Sequence, residues 1–147
     1  MNALRRGGWV LGGLLGAILL AAVGHAQVEH SIEYQLALLG SNQTTANPVA
    51  SANAISRFRT ILDELSLNYR QTREEMGYAA IAIWKKLQEQ KLEANLMQIL
   101  DGMNLVASGE GKQDFLRNLT LYYALRTRGL SHQQTLRHML LLTTTGK

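Results

Sequence analysis

Cysteine is missing from the 147-residue sequence. That absence excludes a disulfide framework, a zinc–thiolate centre, an iron–sulfur cluster and a cysteine nucleophile. Also missing are a G-x-S-x-G elbow, a P-loop and a dinucleotide fingerprint. Gly109–Lys112 (GEGK) has neither the spacing nor the Ser/Thr that a phosphate loop requires, so it reads as a linker. Proline occurs once, and there is neither an internal repeat nor a low-complexity tract. What the chain does have is 46% hydrophobic residues and a mean hydropathy of -0.08, the balance of one globular domain.

The N-terminus has the layout of a secretory signal peptide. Arg5 and Arg6 precede an apolar run from Trp9 to Val23, and Gly24 and Ala26 then form a small-x-small site before Gln27. The expected division is therefore 1–26 as signal peptide, with a periplasmic or secreted product. The alternative is an inner-membrane anchor at residues 9–23. That run is short of the roughly 20 apolar residues a span needs, and glycines 12, 13 and 16 interrupt it. Cleavage would leave 121 residues with 13 basic and 11 acidic side chains, a net charge of +2 against +4 for the whole chain. So small and dispersed a charge is not the footprint of a nucleic-acid binder. Arg57 with Arg59, and Arg126 with Arg128, read as solvated helix faces.

The remainder reads as all-α, a small bundle of about four to five helices. Residues 27–47 contain a short helix and a polar loop, although Ile32, Tyr34, Leu36 and Leu38 also alternate like a strand. The helical domain is expected over 48–143, with 144–147 as a frayed tail. Asn47–Pro48 is a helix-start signal, followed by a stripe of Ile55, Phe58, Leu62, Leu65 and Tyr69. Thr72 and Glu75 match a capping box. The helix behind it holds seven uncharged residues, 78–84, and is expected to be the buried centre with Ile83 and Trp84 inside. Leu92, Leu96, Ile99, Leu100 and Met103 form the next stripe, with Gly102 a weak point within it. Phe115, Leu119, Tyr122 and Tyr123 outline another helix, which Gly129 closes. Ser131 and Gln134 form a second capping box ahead of Leu136, Met139 and Leu140.

Candidate chemistry is sparse. His132 and His138 are six apart, about 240° around a helix, so they cannot share a metal. No metal or cofactor is expected. Asp101 and Asp114 are positioned as caps, and Asn42 and Asn118 head glycosylation sequons by letter alone. An enzyme of the cell envelope would have to use a carboxylate such as Glu33, Glu74 or Asp101, without an evident acid–base partner. Leu130–Gln134 (LSHQQ) resembles the LTxxQ element of the periplasmic Spy/CpxP stress chaperones, which are small, exported and helical. The resemblance spans five residues that the capping box also explains, and it implies chaperone-like binding. Both routes favour a non-catalytic envelope protein (accessory, inhibitor or immunity-type, or chaperone-like) whose partner is another protein, not nucleic acid. The membrane enters only through an uncleaved signal segment. Tyr122 and Tyr123, with Arg126 as a polar rim, are the expected contact site: adjacent residues point about 100° apart, and aromatics commonly anchor interfaces.

Overall fold

Five of the helix starts carry their own local signal. Ser51 accepts from the Ala54 amide, Asn95 from Gln98 and Asp114 from Arg117, while Thr72 and Glu75 cap each other reciprocally. The Ser131–Gln134 pair is equally reciprocal, with contacts of 2.9 and 3.3 Å. These caps answer the amides that a helix leaves without an internal acceptor. In this computed structural model, residues 31–41, 49–107 and 111–144 are described. They form six helices: α1 (Ile32–Gly40), α2 (Ala52–Asn68), α3 (Arg73–Glu89), α4 (Leu96–Val106), α5 (Phe115–Thr127) and α6 (His132–Thr144). All belong to one unit that begins at Ile32. The proposed signal segment and Asn42 lie outside the described residues.

The all-α class is shown, but six helices exceed the expected four to five. The short helix expected within residues 27–47 is α1, whose Ile32, Leu36 and Ala37 are buried, and the strand-like alternation of residues 32–38 forms no strand. The start of α2 also moves. Asn47–Pro48 lies outside the described residues, and Ser51, directly before the apolar stripe, is the cap. Asp101 is no cap; it lies in the middle of α4.

The largest correction concerns the centre. Ala80 and Ile81 are buried, but Tyr78 is 51% exposed, Ala82 is exposed, and Ile83 and Trp84 are only half-buried. An uncharged run on a helix still turns 100° per residue, so seven residues sweep every direction, including solvent. Small alanines tolerate exposure, and Trp84 sits at an edge where its indole N–H donates to the Ala94 carbonyl at 3.1 Å. The central helix is α4, which packs against each of the other five. Leu96, Ile99, Leu100, Gly102, Met103 and Val106 are all buried along it. Gly102 lets α6 come close: an added Cβ would lie 2.8 Å from Leu136 Cδ2. Because that atom is the tip of a rotatable side chain, the neighbour can yield.

Helices α3 and α5 end alike, with one difference. After α5, the Gly129 amide bonds to Arg126 O and the Leu130 amide to Leu125 O, with Gly129 at φ 91°. After α3, the Lys91 and Leu92 amides bond to Gln88 O and Leu87 O in the same pattern, but Lys91 occupies the left-handed position at φ 58°. Such a cap favours glycine, since a Cβ is strained there. Lys91 is exposed and its side chain has no hydrogen-bond or ion-pair role among the described residues. Lys91→Gly should therefore raise stability by about 1 kcal/mol, read as a higher urea midpoint at unchanged slope.

Candidate functional site

The expected contact residues separate. Tyr122 is 1% exposed and Arg126 7%, so both are interior, while Tyr123 is half-buried at the edge. Tyr122 Oη lies 2.8 Å from His132 Nδ1, and the two rings meet edge to face. Tyr123 Oη instead accepts from Gln90 Nε2 at 2.7 Å, and its ring lies 5.9 Å from Lys86 Nζ. Tyr122 and Arg126 thus cannot form a surface patch with Tyr123. The reason is the 100° step that separates neighbours on α5: Tyr122 and Arg126, four apart, share the inward face. Arg126 follows its aliphatic stem inward and donates to the Glu93 carbonyl.

Around His132, burial and the nearby Arg126 cation both hold the imidazole below its ordinary range. Burial raises the Tyr122 phenol, with Arg126 opposing. Both groups are therefore neutral near pH 7. A base whose folded pKa is depressed takes up a proton more readily when unfolded, so stability falls with acidification. The loss should begin near about pH 6.5 and continue down to the folded value. Urea midpoints measured from pH 7.5 to 5 should decline more steeply for the native sequence than for His132→Gln; parallel curves would contradict it.

The carboxylates considered for catalysis do not assemble. Glu33, on α1, is buried and paired with Arg73, which also binds Asp63 at 2.7 Å. Glu74 is exposed in the first turn of α3. Asp101 lines a cleft of about 390 Å³ with Arg57, Phe58 and Gln98. Partial desolvation raises its carboxyl, Arg57 lowers it and Glu64 raises it further. Its carboxylate neighbour Glu64 is exposed and accepts from Asn104 Nδ2 at 2.8 Å, so the two do not form a buried acid–base pair. Among the described residues no group of three or more His, Asp or Glu could hold a metal ion. Asn118 is half-buried, its Nδ2 donating to Tyr69 Oη and Gln113 Oε1, so the atom a glycan would need is already engaged.

Sequence reasoning did not find a cleft of about 450 Å³ beside α5 and α6. Its floor is apolar: Val106 and Met139 are buried, Leu121 is half-buried and Leu142 is 58% exposed. Its rim carries Arg70, Lys112 and Arg117. The loops bearing the rim are tied together. The Arg70 amide donates to Gln113 O, the Gln113 amide to Asn68 O, Arg70 Nε to Lys112 O and Lys112 Nζ to Ser66 O. Asp114, the one acid of the lining, accepts from the Arg117 amide and from Gln71, so it is committed to the α5 cap. None of the three cations is in an ion pair among the described residues. The arrangement suits an apolar side chain flanked by negative charge. Compared with protein-family models, curated proteins and solved structures, the chain finds no match in any of the three.

Proposed function

We propose that the chain is an exported, non-catalytic binding protein of the bacterial envelope that holds another protein at the cleft between α5 and α6. The observation that carries the reading is the pairing of an apolar floor, including the half-open Leu142, with a rim of three cations and only a cap-forming acid. Exposed large apolar groups on a charged rim are the composition of a recognition patch. The partner's segment carries an apolar anchor beside carboxylates. The cations of the cleft rim steer approach, and burial of the anchor supplies most of the affinity.

Export rests on the order of charge, apolar run and small-residue site at residues 5–26. Mass spectrometry of the natural product should find it starting at or near Gln27; an intact Met1 overturns that part. For the cleft, a photo-crosslinker at Leu142 in the native envelope should capture one partner reproducibly. Leu142→Asp and Arg117→Glu should each abolish capture while leaving the melting temperature nearly unchanged, since both positions are exposed. Capture that survives both substitutions places the contact elsewhere.

A further inference from the structure

The charge of Arg126 has no role in the reading above, and its setting is unlike that of any other cation described. Two ion pairs occur among the described residues, and both belong to Arg73, whose side chain is 31% exposed and holds two carboxylates. Arg126 is far more buried and holds none. One guanidinium nitrogen donates to the Glu93 carbonyl, and Nε is buried with no partner among the described residues. Arginine cannot escape by losing its proton. A buried cation that lacks a counter-charge is costly, so it calls for an anion.

The space for one is adjacent. Arg126 lines a cleft of about 590 Å³ together with Asn95, Gln98, Gly129, Leu130, Ser131, His132 and Gln134, where α6 begins. The capping box engages the amides of Ser131 and Gln134, and the Thr135 amide bonds to Ser131 O. The amides of His132 and Gln133, in the first turn, are left without an intrahelical acceptor. Of the two, His132 lines the cleft, so the positive end of the helix dipole reaches the same wall. His132 is hydrogen-bonded to Tyr122 and adds no charge near neutrality. Glu93, whose side chain makes no ion pair with Arg126, is the only acid of the lining.

We propose that this cleft binds a small oxyanion, a carboxylate or phosphate group, between the Arg126 guanidinium and the first free amides of α6. Guanidinium N–H groups and a free helix-start amide are donors that either group accepts. The site is separate from the α5–α6 cleft that holds Leu142, and the inference stands without that reading.

The test is titration of the full chain with sodium phosphate and, separately, sodium acetate, each against sodium chloride at matched ionic strength. Amide and guanidinium resonances are followed by NMR, together with the melting temperature. Saturable shifts are expected at the His132 and Gln133 amides and at Arg126 Nε–H, with a rise in melting temperature that chloride does not reproduce. Saturation by phosphate alone identifies a phosphoryl ligand, and by acetate alone a carboxylate; either supports the site. Arg126→Met, which keeps the stem and removes the charge, should weaken binding at least tenfold. Failure of both anions to saturate on the native sequence overturns the proposal, and so does an unchanged response in a folded Arg126→Met. Should that variant fail to fold, the native titration decides alone.

Discussion

Replacing Tyr69 with alanine should destabilise the chain by about 3–5 kcal/mol, the range for truncating a buried aromatic. Tyr69 is fully buried at the end of α2, where its ring meets Phe115 edge to face at 5.2 Å. Its hydroxyl donates to Met103 O at 2.7 Å and accepts from Asn118 Nδ2 at 3.1 Å. One side chain therefore joins the end of α2, the central α4 and α5. Burial raises the phenol above its usual value, with Asn118 partly opposing, so it stays a donor throughout the neutral range. Tyr69→Phe separates the two contributions: it keeps the ring contact but leaves the Met103 carbonyl without that donor, at a cost of about 1–3 kcal/mol. Denaturant unfolding of the native sequence and both variants checks this. Equal losses for both would mean the hydroxyl matters and the ring does not.

Gly77→Ala should be destabilising by about 1–3 kcal/mol, against the usual trend for glycine within a helix. On an open helix face, that change gains about 1 kcal/mol. Here the new Cβ would overlap Ile32 Cγ1, lie 2.8 Å from Ile32 Cδ1 and touch Leu36 Cδ1 at 3.5 Å. Glycine at this position is what allows α1 to lie against α3. Ile32→Ala alone should cost about 2–5 kcal/mol, as a buried truncation. In that background the overlap is gone, and Gly77→Ala should become neutral or stabilising. A coupling of more than about 1 kcal/mol in this double-mutant cycle is the expected result. Simple additivity would mean that α1 does not lean on Gly77.

Much of the fold was legible because its signals are local. The stripes Phe58–Leu62–Leu65–Tyr69 and Leu96–Ile99–Leu100–Met103 recur at helical spacing, and both are buried. Two capping boxes and the Gly129 stop were likewise readable, each within four residues. Errors arose where a local feature had two uses. Asn47 and Ser51 are both good cap residues, and only the distance to the apolar stripe favours Ser51. Freedom from charge at 78–84 reflects alanines that tolerate water as much as side chains that avoid it. The sites were scarcely legible. Arg70 and Arg117 are 47 positions apart and come together only because the α2–α3 and α4–α5 links pair through Gln113. Arg126 reads as a surface residue by type, and its burial depends on a carbonyl 33 residues away.

The packing of α4 against all five other helices sets the order in which the molecule can come apart. A helix at the rim frays by releasing one neighbour, so its amides meet solvent through small, frequent openings. Helix α4 shows solvent only a stripe at Gln98, Asp101 and Leu105 and is held by all five other helices, so no single release frees it. Its deuterium uptake should be the slowest in the chain and should follow the free energy of complete unfolding, while α1 and the end of α6 exchange far sooner. A brief pulse of protease should likewise cut the outer helices first and leave a fragment that still contains residues 96–106.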